Sequence, residues 1–235
     1  MKWHEQYILK NYSPGSIIMT FGTACHNLFE EVFATGNFDR YFWYEQWPRI
    51  FNEAIQGARN LESTSREREF HMAKGYGMIK RFFNVVERCK LDIKVDRKLI
   101  ERKFTCEMAG MPMIAYMDLI LPRKGLVWLI DFKTSQKMKK DDIRQLILYY
   151  AMCKKEGVKI DRLAVFYPWL EKFVDVTNVL NKKETYKEFS QDIIDLKACM
   201  KAKEFPAREN EYCKYCHIRL QQKCPIKPYR PRKKK

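Results

Sequence analysis

The stretch Ile130-Asp131-Phe132-Lys133-Thr134 decides how this chain is read. It closes an apolar, β-prone run that begins at Leu126. On a strand the side chains alternate between faces, so Asp131 and Lys133 share one face and Phe132 enters the opposite layer. A carboxylate and an ammonium in such surroundings are costly to bury without partners or a task. A second apolar run, Met111 to Leu121, precedes it across Pro122-Arg123-Lys124-Gly125, whose turn residues predict a hairpin. Asp118 lies in that run, within Tyr116-Met117-Asp118-Leu119-Ile120. Paired strands lie ~5 Å apart, so the hairpin can place Asp118 across from Asp131. Two carboxylates that close repel each other unless a cation sits between them. Hard oxygen ligands there favour Mg²⁺ or Mn²⁺. Each residue alone has a bland reading, as a structural ion pair or a hairpin-edge carboxylate. The three together favour a site.

The flanking segments supply the rest of the architecture. After the Asp-x-Lys strand, a helix begins at Asp141 or Asp142 and runs to about Glu156, with Ile143, Leu146, Ile147 and Tyr150 on its buried stripe and Gly157 closing it. Gln145 and Tyr149 are four residues apart on that helix, hence on one face, and can point back to the site. Leu163 to Tyr167 and Phe173 to Thr177 read as short strands, and Lys183 to Lys203 as a final amphipathic helix. Before the hairpin, Ile93 to Glu107 alternates apolar and charged residues as a strand does. Three helical segments precede it: Gly22 to Ala34, ended by Gly36; Trp43 to Arg59, broken or kinked at Pro48; and Thr64 to Cys89, with Ser65 as N-cap. His26 lies in the first of these, with Glu30 one turn later. The order predicts an α/β fold, a mixed β-sheet flanked by helices.

The chain has 235 residues and 46% apolar residues, enough to bury a real core. No apolar run approaches the length of a membrane span, and the charged start Met1-Lys2-Trp3-His4-Glu5 lacks a secretory signal, so a cytoplasmic location is expected, in a bacterial, archaeal or phage-infected cell. The formal net charge of +16 points to a polyanionic partner, nucleic acid first. That charge is uneven: Lys197 to Lys235 holds 13 basic and 3 acidic residues. The end of the chain reads as a flexible basic tail over 228–235, with Arg230, Arg232, Lys233, Lys234 and Lys235 as candidate nucleic-acid contacts. Eight cysteines occur. Cys89, Cys106, Cys153 and Cys199 read as small buried side chains. Cys213, Cys216 and Cys224 form Cys-x2-Cys-x7-Cys in a polar, basic segment with little core to explain them, which suggests a metal or iron–sulfur site one ligand short of the usual four.

Taken in order, Gly22-Thr23-Ala24-Cys25-His26, Met117-Asp118, Asp131-Phe132-Lys133-Thr134 and Gln145-Leu146-Ile147-Leu148-Tyr149-Tyr150 resemble the RecB-type branch of the PD-(D/E)xK nucleases. The terminal cysteines followed by Pro225 resemble its iron–sulfur subgroup, which includes CRISPR-adaptation nucleases and phage and repair exonucleases. The resemblance covers roughly Gly22 to Pro225. It implies a restriction-endonuclease-like core with a C-terminal cysteine-rich segment. It also implies that His26, Asp118, Asp131 and the backbone carbonyl of Phe132 bind the divalent metal. Lys133 would position the attacking water and stabilise phosphate charge, Gln145 would orient this network, and Tyr149 would support it or contact DNA. A metal-bound water ionises more easily, which suits phosphodiester hydrolysis. The subgroup also implies a 4Fe–4S cluster with a fourth cysteine in an N-terminal Cys-Pro segment. Here the early cysteine is Cys25, in the active-site helix beside His26. Either the start lies upstream or the fourth ligand has been lost; His217, adjacent to Cys216, makes an awkward substitute.

The expected organisation is a nuclease domain over residues 1–205, with a helical insertion at about 36–90, a cysteine-rich segment over 206–227 and the tail over 228–235. The expected function is metal-dependent DNA hydrolysis, by a RecB-like exonuclease on single-stranded ends, working in repair, recombination or phage or CRISPR DNA processing beside a helicase, recombination or CRISPR-adaptation partner. The alternatives are a catalytically silent nuclease fold that docks DNA and a metal-binding nucleic-acid adaptor.

Overall fold

The computed structural model describes residues 15–181 and 183–204. Cys213, Cys216, Cys224 and the basic tail lie outside the described residues. Gly15–Ile193 form one compact unit that contains the catalytic candidates from His26 to Tyr149.

Three helices lead. Helix α1 (Ile17–Thr35) starts where the Ser16 hydroxyl accepts the Met19 N–H and stops at Gly36, whose φ of 71° suits the left-handed cap. It begins five residues earlier than its apolar periodicity suggested, because Ser16 supplies the cap. Helix α2 (Arg40–Gly57) is capped by Asp39 and continues through Pro48. Of the expected break or kink, the break does not occur. Trp43 and Trp47 before the proline, and Ile50 and Phe51 after it, are all buried and anchor both halves. Helix α3 (Ser65–Cys89) is capped by Thr64, one residue before the expected Ser65. Thr64 wins because Glu67 reciprocates: its carboxylate accepts the Thr64 N–H while its own N–H reaches the Thr64 hydroxyl.

The sheet follows, with strands β1 (Ile100–Met108), β2 (Met111–Arg123), β3 (Leu126–Phe132), β4 (Arg162–Tyr167) and β5 (Lys172–Asp175) in spatial order of sequence. Strand β1 is shorter than the alternating run from Ile93 suggested, since Arg97–Leu99 form a 3₁₀ turn. Lys124 and Gly125, with φ of 51° and 75°, make the two-residue turn joining β2 to β3. Pro122 stays inside β2, beyond the last residue that pairs with β1, where its missing N–H costs no ladder bond. Strands β3 and β4 pair in parallel through the crossover helix α4 (Lys140–Lys155); the other three pairings are antiparallel. Asp142 accepts from the Lys139 N–H and the Tyr167 hydroxyl, which ties the start of α4 to β4. The final helix α5 (Lys183–Ala202) matches its expected span.

Each face of the sheet has its own core. One is shared with α1, α2 and α3 and includes Leu119, Ile130, Phe132 and Phe166. The other, under α4, includes Met117, Leu129, Leu146 and Val165. Phe132 lies among the rings of Phe29, Phe33, Phe82 and Phe166, with centroids 5.4 to 6.4 Å away. Of the four cysteines expected to be buried, Cys153 is; Cys89, Cys106 and Cys199 are half-buried. Cys89 is the last residue of α3, and Cys106 sits near the turn that closes the β1–β2 pair.

Candidate functional site

The site lies where β1 and β2 pass from one core to the other. Alternation along a flat strand would keep Met117 and Leu119 on one face. Instead Met117 packs in the α4 core and Leu119 in the α1–α3 core. On β1, Ile100 and Phe104 divide the same way. The pairing holds register at Ile100↔Leu119 and Arg102↔Met117 but skips the step between, Glu101 and Asp118. Glu101 has a φ of 45°, an uncommon angle for a residue with a side chain. The two carboxyl residues of the skipped step therefore sit together at the kink.

Asp118 is buried, and its Oδ2 accepts the Phe132 N–H at 2.7 Å. This bond caps the β2–β3 ladder, which ends at the pair Leu119↔Ile130; one step further in the same register sets Asp118 opposite Asp131. Asp131 is 1% exposed. Its Oδ2 stands 2.7 Å from Lys133 Nζ, yet has no donor in hydrogen-bonding geometry among the described residues. Lys133 Nζ in turn donates to Gln145 Oε1 at 2.8 Å, and Gln145 Nε2 donates to the Tyr149 hydroxyl. One turn of α4 thus holds both groups, as the four-residue spacing implied. From α1, His26 Nδ1 reaches within 3.6 Å of Asp118 Oδ2. Its ring meets that of Phe132 edge-on at 6.1 Å.

Burial governs the electrostatics. It raises the Asp118 carboxyl, an effect the Phe132 N–H and Lys133 partly offset. It pushes Asp131 up to about 7, with the Asp118 charge adding to the shift and Lys133 opposing it. Glu30 is pushed up to about 8 by burial and then by the Glu101 and Asp118 charges. Burial also lowers the imidazole of His26, so that it tends to be neutral and able to ligate, although the Asp131 charge resists this. Desolvation lifts the Tyr149 phenol to about 12, which leaves it a neutral hydrogen-bonding partner. Asp118, Asp131 and Glu30 thus resist ionisation together, and a cation among them would favour their charged forms.

The donor set fits a divalent cation. One ligand atom each from His26, Glu101 and Asp118 lies within 4.8 Å of the others. The unsatisfied Asp131 oxygen lies beside them in the ladder, and oxygen-rich donors with one imidazole suit Mg²⁺ or Mn²⁺. Glu101 is a site residue that the sequence reading did not single out. Its signal was present: counting back from the Ala109-Gly110 turn, where Met108 pairs with Met111, sets Glu101 opposite Asp118. Glu30, noted only as a neighbour of His26, also joins the cluster.

The sequence matches the family model of the PD-(D/E)XK nuclease superfamily over residues 1–221. The chain belongs to the PD-(D/E)XK nuclease superfamily. No curated protein matches it. Members of the superfamily are generally nucleases that use divalent metals, and the mixed five-stranded sheet flanked by helices is the restriction-endonuclease-like α/β core. The superfamily thereby implies nucleic acid as the partner. No helix among the described residues is long and apolar enough to cross a membrane.

Proposed function

We propose that this PD-(D/E)XK protein is a RecB-like, Mg²⁺- or Mn²⁺-dependent deoxyribonuclease that acts as an exonuclease on single-stranded ends. The observation that carries the hydrolytic reading is the Asp131–Lys133–Gln145–Tyr149 chain beside Asp118. A lone structural ion pair would need neither the second carboxylate nor the amide and phenol that hold the ammonium in place. His26, Asp118, Asp131 and the Phe132 carbonyl would hold the cation, with Glu101 as a further donor. When bound, it would make a water more acidic and offset charge on the phosphate. Lys133 keeps an ammonium fixed between Asp131 and Gln145, where it can orient a water and neutralise charge developing on the scissile phosphate. Gln145 and Tyr149 are positioning residues for it. Phe132, seated in its aromatic cluster, fixes the strand so that its two charged neighbours face the site.

The single-strand preference and the exonuclease mode rest on the RecB-type order of motifs. Cys213, Cys216 and Cys224 are proposed as ligands of a 4Fe–4S or zinc site in the 206–227 segment, after the 1–205 nuclease domain and before the 228–235 tail. A helicase, recombination or CRISPR-adaptation protein is the proposed partner. Asp131→Ala and Lys133→Ala should each abolish cleavage of labelled single-stranded DNA in Mn²⁺, as EDTA does for the parent chain, while binding to the same DNA stays within a few-fold. Full nuclease activity in both variants would overturn the assignment.

A further inference from the structure

The β1–β2 pair extends past the carboxyl cluster as an arm with one face open. On β1, Glu101, Lys103 and Thr105 are exposed and alternate with the more buried Arg102, Phe104 and Cys106. On β2, Ile114 and Tyr116 are exposed and alternate with Met113, Ala115 and Met117. Lys103 is directly opposite Tyr116, and Thr105 opposite Ile114. Tyr116 is 50% exposed and Ile114 62%, so two large side chains stand open to solvent on this face. The strip runs into the metal-donor cluster at one end, through Glu101 and Asp118. At the other it stops at an acidic residue, Glu107, whose carbonyl accepts from Lys155 Nζ.

An aromatic face beside an ammonium, open to solvent, is what unpaired nucleotides use: the ring stacks on a base and the cation meets the phosphate. Two residues of strand span ~7 Å, so Tyr116 stands about one nucleotide from a phosphate held at Asp118. A base inside a duplex is stacked on its neighbours and cannot use such a platform. We propose that this face of the arm receives an unpaired nucleotide next to the scissile phosphate, with Tyr116 stacking on its base and Lys103 contacting its backbone. The footprint is short, one or two nucleotides, because Glu107 ends it. The inference rests on the nuclease reading for the position of the scissile phosphate, and it supplies a physical reason for a single-strand preference.

The test is a cycle between Tyr116→Ala and single abasic positions in a short labelled DNA strand, read by anisotropy in Ca²⁺ and, separately, by cleavage in Mn²⁺. Tyr116→Ala should weaken binding of the intact strand by roughly 5- to 150-fold. An abasic site at one position should weaken the parent chain by a similar factor and leave the variant unaffected, since the stacking partner is already gone. Tyr116→Phe should restore binding, because the ring carries the stack. Lys103→Gln should weaken binding and make it less steep in salt. Unchanged affinity in Tyr116→Ala, or equal losses from every abasic position in both proteins, would overturn the proposal even if the parent chain cuts normally. If the parent chain binds with the Tyr116 dependence but does not cut, the surface stands and the nuclease reading fails. Thermal unfolding of each variant, expected unchanged at these exposed positions, separates lost contact from lost fold.

Discussion

Asp131 and Lys133 owe their positions to the residue between them and to the groups behind them. Phe132 is locked among four rings, so neither neighbour can turn away without disturbing the core. The cost falls on the carboxyls, and pH reveals it. Burial pushes Asp131 up to about 7 from the 3.8 of a free aspartate, and Glu30 up to about 8 from the 4.5 of a free glutamate, values the unfolded chain approaches. Below the unfolded values both states hold their protons, and burial carries no charge penalty. As pH rises through the window from about 4 to 8, the unfolded chain releases protons that the folded chain keeps, so stability of the metal-free protein should fall and then level off. A divalent cation binds the ionised carboxylates, so its stabilising effect should grow over the same window. Thermal unfolding with EDTA or Mn²⁺ at pH 5.5 and 8.5 checks both statements. An equal rise in Tm from Mn²⁺ at the two pH values would contradict them. Of the residues involved, Asp118, Asp131, Lys133, Gln145 and Tyr149 were legible because hairpin pairing and helical spacing bring them to one place, whereas His26, on the separate helix α1, was a candidate only through the family resemblance. The part played by Glu101 was harder to read. It depends on a positive φ and a skipped pairing step, which no local propensity announces for a glutamate.

At the level of elements, the turns were the most legible features. Gly36, Gly125 and Gly157 all end or reverse the chain with positive φ, as glycine suggests. The limits of α2 and α3 were less legible because tertiary packing and side-chain reciprocity decide them. Pro48 signals a break, yet buried aromatic residues on both sides keep the helix going. The contact between these two helices depends on Gly75. A Cβ there would lie 2.0 Å from Trp47 Cε2, far inside contact distance. The indole is itself held, since Trp47 Nε1 donates to the Met72 carbonyl at 2.9 Å and its ring stacks near Phe51. Ordinarily alanine would favour a helix over glycine by about 1 kcal/mol. At Gly75 the clash should reverse that sign. Gly75→Ala should destabilise the fold by about 1–3 kcal/mol, measured by urea unfolding. A neutral or stabilised variant would show that Trp47 can move aside. Gly77, whose Cβ would meet the end of the Arg81 side chain at 3.7 Å, is the matched control and should tolerate alanine.

Over the whole molecule, charge and chemistry occupy different parts of the sequence. The catalytic candidates lie between His26 and Tyr149, whereas Lys197 to Lys235 carries 13 basic residues against 3 acidic. The carboxyl cluster is itself a local concentration of negative charge that would repel a phosphate backbone without a cation. Grip on a polyanion must therefore come largely from elsewhere, and the C-terminal end is the most basic part of the chain. Its last eight residues include Arg230, Arg232, Lys233, Lys234 and Lys235. Each phosphate that a cation neutralises on a single strand steepens the dependence of log affinity on log salt by about 0.7. Removing Pro228 to Lys235 should then weaken DNA binding most at low salt and flatten that slope by as much as about 3.5, if all five cations meet phosphates. The bond that is cut and the dependence on Mn²⁺ should not change, because Asp118, Asp131 and Lys133 remain in place. Affinity titrations of the full and truncated chains on one labelled strand at four salt concentrations, beside a cleavage ladder, measure both quantities. Equal slopes would mean that the tail makes no phosphate contacts. A changed cleavage position would mean instead that it helps set the register of the strand in the site.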